Sequence, residues 1–249
     1  MYIEDLSNLL VETKIGCYLN NQCMNHLYYA DDAVLLAPTA GALQNLITVC
    51  HSFAENNEML FNVKKSVCSA FIPKLYGNMN IPDVHLGGSP LKWVAQYKYL
   101  GAILDNKSCD DTDIVRQIQA IYARGNTLIQ YFRKCSTAVK TQLFKSYCSS
   151  MYGCHLWQRY GASTIKKIQV AYNNVFRTLM GIKRGDSISH AFVASNVQGF
   201  KSLVRKCISG FYLRIMDSTN ALVKSVISSV YFTCGSHIFS NWKYLLFIF

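Results

Sequence analysis

The second half of this 249-residue chain has almost no acidic residues. Residues 114–249 contain 18 lysines and arginines but only two acidic residues, a net charge of +16. Residues 1–113 differ, with 7 basic and 12 acidic residues and a net charge of −5. Because a solvated surface usually mixes charges of both signs, this lack of acid predicts a polyanionic partner for the second half, with a phosphate backbone as its counter-ion.

The sequence also lacks the marks of several other protein classes. No apolar run reaches the 18 residues of a membrane-spanning helix. The N-terminus has no basic region and carries Glu4, Asp5 and Glu12, so we expect no signal peptide. None of the ten cysteines forms a CxxC pair, and the thiols are expected to stay reduced. These absences favour an intracellular protein, in the nucleus or cytoplasm, with no membrane partner.

Two adjacent carboxylates stand out in the first half. Tyr29-Ala30-Asp31-Asp32 lies between the apolar runs 26–28 and 33–37, a pattern that predicts two strands joined by a tight turn. Paired aspartates repel each other unless a cation relieves the repulsion. The turn is therefore either a simple hairpin corner or a site for Mg²⁺ (or Mn²⁺), of the kind that supports phosphoryl transfer in two-metal enzymes.

The sequence around this turn favours the second alternative. Residues 25–37 resemble the active-site hairpin of reverse transcriptases from non-LTR (LINE-type) retrotransposons, and further matches follow in the family's order. They are an amphipathic helix from Thr39 to Glu58, the run Phe61-Asn62-Val63-Lys64-Lys65-Ser66, a primer-grip-like hairpin at 93–104, and thumb-like helices from 143 to 173. The family usually has Gly-Leu where this chain has Glu58-Met59, so we expect that turn to be built differently.

The resemblance implies a role for each residue of the first motif. Asp31 would bind the catalytic metals, and Asp32 would support it or touch the second ion. Tyr29 and Ala30 would lie beneath the primer end and the incoming nucleotide.

Later motifs imply further roles. Lys65, or its neighbour Lys64, would neutralise or protonate the leaving pyrophosphate, and a structural salt bridge is the alternative. The basic helices from 116 to 167 would follow the template-primer duplex through its phosphates. The primer strand would be held by four residues of the later hairpin: Trp93, Tyr99, Leu100 and Gly101.

The pattern predicts an α+β protein in two parts. The resemblance implies that residues 1–108 form a partial polymerase palm, an antiparallel sheet with packed helices, and that residues 109–249 form a basic, all-helical thumb and C-terminal region. Predicted helices cover 2–13, 39–57, 111–134, 136–153, 162–180, 187–196 and 199–216, and predicted strands lie at 15–19, 24–37, 67–72, 81–86 and 92–104. The acidic run 110–113 suits the positive start of its helix dipole.

The parent activity that the resemblance implies is RNA-templated DNA synthesis, a nucleotidyl transfer on an RNA/DNA template-primer. The family's third metal-binding aspartate, its Gln-Gly loop and its fingers do not fit into the 28 residues before Tyr29. We therefore expect these 249 residues to be inactive alone, with nucleoside triphosphate bound only in a full-length parent that has the fingers and upstream domains.

The alternative is a non-catalytic nucleic-acid-binding module that uses the basic helices. Aromatic residues interleave with the basic ones at 131–134, 157–160 and 211–214. They would either stack on nucleobases or form the core of amphipathic helices.

Overall fold

The computed structural model describes residues 2–73, 80–229 and 232 of the chain. The helices in this part are α1 (Tyr2–Glu12), α2 (Ala40–Asn56), α3 (Asp111–Phe132), α4 (Thr137–Tyr147), α5 (Ala162–Met180), α6 (Ile188–Ala194), α7 (Phe200–Met216) and α8 (Ala221–Ser228), with a 3₁₀ turn at Cys154–Leu156. The strands are β1 (Cys17–Leu19), β2 (Gln22–Met24), β3 (His26–Tyr29), β4 (Asp32–Leu35), β5 (Val67–Cys68), β6 (His85–Leu86), β7 (Ser89–Pro90), β8 (Lys92–Trp93), β9 (Gln96–Tyr99) and β10 (Ala102–Asp105).

The described residues fall into two compact units. The first contains residues 2–73, 80–97 and 221–229, and the second contains residues 98–220 and 232. The first combines helices with short strands, whereas the second is almost entirely helical. This composition agrees with the predicted α+β class. The assignments to palm and thumb, and a domain boundary near residue 108, stay predictions.

The strands of the first unit form short pairs. β1–β2, β3–β4 and β6–β7 are antiparallel, whereas β5 and β8 run parallel. Each sheet in the described part of the chain has two strands. The expected strand over 24–37 is divided, because β2 ends at Met24 and the chain reverses between Tyr29 and Asp32.

Helix α2 separates two apolar clusters in the first unit. On one side, Leu46, Cys50 and Phe53 pack with Leu6 and Leu10 of α1. On the other side, a second cluster joins α2 to the segments around β5, β6 and β8, with buried members Ile47, Cys68, Val84, Leu86 and Leu91. The helix begins as predicted, because the hydroxyl of the N-cap residue Thr39 accepts a hydrogen bond from Ala42 N at 3.1 Å. This packing fixes the face on which the β3–β4 hairpin rests.

The second unit is built around α3 and α5. Its centre holds a group of aromatic rings, with Phe144 4.9 Å from Phe176 and Phe176 4.5 Å from Phe192 between ring centroids. The helices predicted between residues 111 and 216 are all present, but the one expected over 136–153 ends at Tyr147. Residues 148–153 have irregular backbone instead, and Gly153 has φ of +82°. Helix α8 lies in a region without a predicted element.

The turn after α2 has a left-handed backbone at Glu58, the position at which the resembled family usually has glycine. Glu58 has φ of +55°, a region in which a side chain is strained. That the turn is built differently from the family's Gly-Leu turn stays a prediction; the described backbone places Glu58 in a left-handed conformation.

We expect Glu58→Gly to raise the free energy of unfolding by about 0.5–1 kcal/mol. A left-handed conformation costs an L-residue roughly 1–2 kcal/mol, and glycine's greater freedom in the unfolded chain offsets about half of the relief. Urea denaturation followed by circular dichroism measures the change. Glu58→Ala is the matched control, since it removes the same charge without relieving the backbone, and an equal gain in both variants would contradict the explanation.

Candidate functional site

The two adjacent aspartates lie at the tip of the β3–β4 hairpin. Tyr29 pairs with Asp32, which leaves Ala30 and Asp31 as a two-residue turn. Ala30 has φ of +54°, at the position where such turns usually use glycine. Both aspartates are exposed, and the ring of Tyr29 is 65% exposed. The turn therefore displays two carboxylates to solvent on a backbone that the rest of the hairpin must hold in place.

These carboxylates fit part of a divalent-cation site. Oxygen ligands of this kind are those that Mg²⁺ and Mn²⁺ prefer. Within the described residues the carboxylates of Asp31 and Asp32 make no hydrogen bond or salt bridge, so their oxygens are available as ligands. No group of three or more His, Cys, Asp or Glu side chains suited to a metal is found in the same part of the chain. Water or substrate phosphates would have to complete the coordination shell.

The other end of the hairpin is tied to α1 by side chains that the sequence motifs did not single out. Asn25 is 3% exposed and donates from Nδ2 to Leu10 O at 2.6 Å. The ring of His26 is hydrogen-bonded to Asn25 Oδ1 and to Ser7 Oγ, each at 2.7 Å. Burial lowers the pKa of His26, which favours the neutral imidazole. No motif signals these contacts with α1, because they join residues 15 and 19 positions apart.

Lys65 and Trp93 belong to the first unit but make no hydrogen bond or ion pair with the two aspartates in the part of the chain described. The side chains of Lys64 and Lys65 are exposed, and the structural salt bridge weighed above does not occur there. Trp93 pairs with Cys68 across β8 and β5, and its indole donates to Pro82 O at 3.2 Å.

Tyr99, Leu100 and Gly101 lie where β9 turns into β10. Leu100 and Gly101 both have positive φ, +45° and +81°. The hydroxyl of Tyr152 donates to Leu100 O at 2.7 Å, and a methyl group on Gly101 would come within 3.3 Å of the same ring. The Tyr-Leu-Gly run thus forms a tight turn in the second unit, and Tyr152 of the same unit supports it.

Asp113 is the polar centre of the second unit. It is 3% exposed, and its Oδ1 accepts from Ile103 N at 2.9 Å and from Arg116 Nε at 2.7 Å. Its Oδ2 accepts from Trp157 Nε1 at 2.8 Å. The acidic start of α3 therefore links β10 to the segment after the 3₁₀ turn, in addition to suiting the helix dipole.

Two further acids at this helix start bind the backbone of residues 158–161. Asp110 Oδ2 accepts from Gln158 N at 2.6 Å and from Arg159 N at 2.8 Å, and burial raises the pKa of Asp110. Asp111 Oδ1 accepts from Gly161 N at 2.9 Å, which lowers the pKa of Asp111. Residues 98–220 contain 18 basic and 6 acidic residues. The unit therefore has a net charge of +12, and three of its six acids lie together at the start of α3.

The structure sorts the aromatic residues of the second unit into core and surface. Trp157 is buried, and Phe211 stacks on His155 with 4.1 Å between ring centroids. Tyr131 and Tyr147 are 70% and 54% exposed. Arg124 donates to Tyr147 O at 3.2 Å, so a guanidinium of α3 lies beside the end of α4. Both predicted uses of the aromatic residues therefore have candidates, and the exposed tyrosines accompany basic residues.

The nine cysteines in the described residues are free thiols. No described helix combines the length and the apolar character needed to cross a membrane.

Comparisons with known proteins provide an independent line of evidence. No protein-family model matches the chain. Over 165 residues it is 28% identical to the RNA-directed DNA polymerase from mobile element jockey of Drosophila melanogaster. The aligned region covers 61% of this chain and 18% of that protein. Over 105 residues it is 31% identical to the probable RNA-directed DNA polymerase from transposon X-element of the same organism, covering 40% of this chain and 12% of that protein.

The chain therefore spans less than a fifth of either of these relatives. The resemblance predicted from the motifs is confirmed: the chain is similar to RNA-directed DNA polymerases of non-LTR (LINE-type) retrotransposons.

Proposed function

We propose that this chain is part of a LINE-type reverse transcriptase and supplies paired metal-binding aspartates together with a basic helical unit for the template-primer. The observation that carries the proposal is the β3–β4 hairpin, which displays the carboxylates of Asp31 and Asp32 at its turn. The similarity to two RNA-directed DNA polymerases supports RNA-templated DNA synthesis as the activity of the whole protein. When bound, Mg²⁺ (or Mn²⁺) supplies activation of the attacking hydroxyl and stabilisation of the leaving oxygen.

The residues of this chain would have distinct parts in that reaction. Asp31 and Asp32 hold the cation, and the exposed ring of Tyr29 beside Ala30 offers a flat surface beneath the primer end. Lys65, exposed and without an ion-pair partner in the described residues, is available to neutralise or protonate pyrophosphate. The primer strand would be held by four residues: Trp93, Tyr99, Leu100 and Gly101.

The second unit would bind the RNA/DNA hybrid through phosphates. Its basic residues outnumber its acids three to one, and three of those acids are engaged in internal hydrogen bonds. Such a surface gains affinity by releasing counter-ions from the nucleic acid, so binding should weaken steeply with salt. Exposed Tyr131 and Tyr147 add faces on which bases or sugars can stack.

We expect salt-dependent binding of the hybrid that tightens several-fold when Mg²⁺ is added. The logarithm of affinity should fall linearly with the logarithm of salt concentration, by about 0.9 per phosphate neutralised. Asp31→Asn should abolish the effect of Mg²⁺ and leave the salt slope unchanged, because it removes a metal ligand far from the basic residues in sequence. Fluorescence anisotropy with a labelled hybrid measures both quantities.

Asp83→Asn is the matched control for this titration. Asp83 is an exposed aspartate of the same unit, so its variant makes the same change in charge outside the hairpin. An equal loss of the Mg²⁺ effect in Asp83→Asn and Asp31→Asn would assign the effect to general charge and contradict a metal site at the turn.

We also expect no primer extension by these 249 residues alone. Two carboxylates supply fewer ligands than a two-metal site needs, and the remaining ligands would come from substrate phosphates that the family binds with its fingers. Incubation with primed RNA, deoxynucleoside triphosphates and either Mg²⁺ or Mn²⁺ tests this expectation. Extension above the level of Asp31→Asn would contradict it.

A second candidate function is a non-catalytic nucleic-acid-binding module. The charge excess of the second unit favours it, since that excess is independent of the aspartate turn. The same titration separates the two functions: binding that depends on salt but ignores both Mg²⁺ and Asp31→Asn would support the module.

A further inference from the structure

Three side chains form a hydrogen-bonded chain at the foot of the aspartate hairpin. It begins at Ser7 on α1, passes through the imidazole of His26 and the amide of Asn25, and ends on Leu10 O of the same helix. The donor–acceptor distances are 2.7, 2.7 and 2.6 Å in that order. This hydrogen-bonded network therefore joins α1 at two points to the strand that leads to Asp31.

The chemistry of the groups fixes each proton in this chain. A carbonyl oxygen only accepts, so Asn25 turns its NH₂ towards Leu10 and its Oδ1 towards His26. That oxygen also only accepts, so Nδ1 of His26 carries a hydrogen. Because burial lowers the pKa of His26, the ring is neutral and its Nε2 accepts from the hydroxyl of Ser7. His26 is thus held as the Nδ1–H tautomer, with the orientation of its ring set from both sides.

The backbone around Asn25 leaves little room for this network to shift. Asn25 is 3% exposed, and its carbonyl accepts from Leu36 N at 2.8 Å. A Cβ atom on Gly16 would lie 2.6 Å from Asn25 Cβ and 2.9 Å from Cys23 Sγ. The backbone at Gly16 therefore packs directly against Asn25 Cβ, so the base of this side chain has little room to move.

The hairpin depends on such directional contacts for its position. In the described residues β3 pairs with β4 alone, and an isolated hairpin of two four-residue strands is marginally stable. Tyr28 and Leu35 pack against the α1–α2 cluster, but apolar contacts are not directional and allow sliding. Hydrogen bonds require defined distances and angles, so the network sets the register of the hairpin against α1.

We propose that Ser7, Asn25 and His26 are positioning residues for the paired aspartates, acting through β3 to fix where the turn at Asp31 and Asp32 projects. The inference rests on the proposed function in one respect, that the aspartates bind a divalent cation. The tautomer of His26 and the mobility of the hairpin are independent of that function and are measured separately.

The test uses Mn²⁺ as the probe and the ¹⁵N-labelled 249-residue chain. Paramagnetic broadening of the amide signals of residues 30–33 measures Mn²⁺ affinity at the turn, and long-range ¹H–¹⁵N spectra of the imidazoles report the tautomer of His26. Ser7→Ala removes the hydroxyl that donates to His26, whereas Ser7→Thr keeps a hydroxyl at the same place and is the matched control.

We expect Mn²⁺ to bind at the turn of the unsubstituted chain and Ser7→Ala to weaken that binding by up to about tenfold. Tenfold is the low end of the loss when a group bonded directly to a metal ligand is removed, and Ser7 acts through β3 instead. Ser7→Thr should bind like the unsubstituted chain, and both should show His26 protonated at Nδ1. Equal Mn²⁺ affinity in Ser7→Ala and Ser7→Thr would overturn the proposal, as would a neutral ring of His26 protonated at Nε2.

Absence of Mn²⁺ binding in the unsubstituted chain would refute the proposed function but not the positioning role. Hydrogen exchange of the amides of residues 27–34 then decides that role. Exchange should be faster in Ser7→Ala than in Ser7→Thr, with rates in the second unit unchanged; equal rates across the hairpin would overturn the proposal.

Discussion

Replacement of Asp113 by alanine is expected to lower the free energy of unfolding by about 3–5 kcal/mol, the range for removing one partner of a buried ion pair. Asp113 accepts hydrogen bonds from Ile103 N, Arg116 Nε and Trp157 Nε1 while it is 3% exposed. Its loss leaves a largely buried guanidinium without its carboxylate and two N–H groups without acceptors. Each of those unsatisfied donors is itself destabilising.

Chemical denaturation followed by circular dichroism measures this loss. Asp217→Ala is the matched control, because Asp217 is an exposed aspartate of the same unit at the end of α7. We expect Asp217→Ala to change the unfolding free energy by less than about 0.5 kcal/mol. A similar small change in Asp113→Ala would show that the three contacts of Asp113 contribute little.

A narrower variant separates the ion pair from the indole contact. Trp157→Phe removes the Nε1 donor to Asp113 but keeps a large apolar side chain at a buried position. We expect about 1–2 kcal/mol of destabilisation, less than for Asp113→Ala, because the bond to Arg116 remains. The order of the two variants identifies the carboxylate as the centre of the network.

The helices could be predicted because their signals are local. Amphipathic spacing, the N-cap Thr39 and the break at Gly181, which has φ of +71°, all lie within or next to the element that they define. Strand lengths were harder to predict, since a run of apolar and aromatic residues such as 24–37 does not show where the chain changes partner. The division of that run at Met24 is visible only through pairing with residues 17–19.

The turn of the candidate site could be predicted for the same reason, because Tyr29 to Asp32 are consecutive. The residues that hold this turn and the second unit in place could not be predicted from the sequence. Ser7, Asn25 and His26 are brought together by the packing of α1 on the hairpin, and Asp113 meets Trp157 across 44 positions. Such contacts depend on tertiary geometry, for which a single sequence carries no periodic signal. Even within the motif, the positive φ of Ala30 could not be predicted, because alanine rarely adopts this backbone conformation.

A close approach between α3 and α5 at Gly125 gives the other large expected effect. Gly125 is buried, and a Cβ atom there would lie 2.7 Å from Val175 Cγ2 and closer still to Val175 Cγ1. Val175 is itself 2% exposed and cannot move into solvent. Gly125→Ala is therefore expected to destabilise the second unit by about 1–3 kcal/mol through overpacking, although alanine is the better helix former by about 1 kcal/mol.

Gly210→Ala is the control for helix propensity. It lies within α7, where a Cβ atom would meet Arg214 Nη1 at an ordinary 3.7 Å. We expect this variant to gain up to about 1 kcal/mol in unfolding free energy. Opposite signs for the two glycine variants would show that packing, rather than backbone preference, decides the effect at Gly125.

A double variant identifies Val175 as the cause. Val175→Ala alone should destabilise the unit, because it opens space in the core between the two helices. Combined with Gly125→Ala, it removes the γ-methyl groups that the new Cβ would strike. The double variant should therefore be more stable than the sum of the single changes predicts, by an interaction energy of about 1 kcal/mol or more. Additive changes would mean that the strain at Gly125 arises from another neighbour.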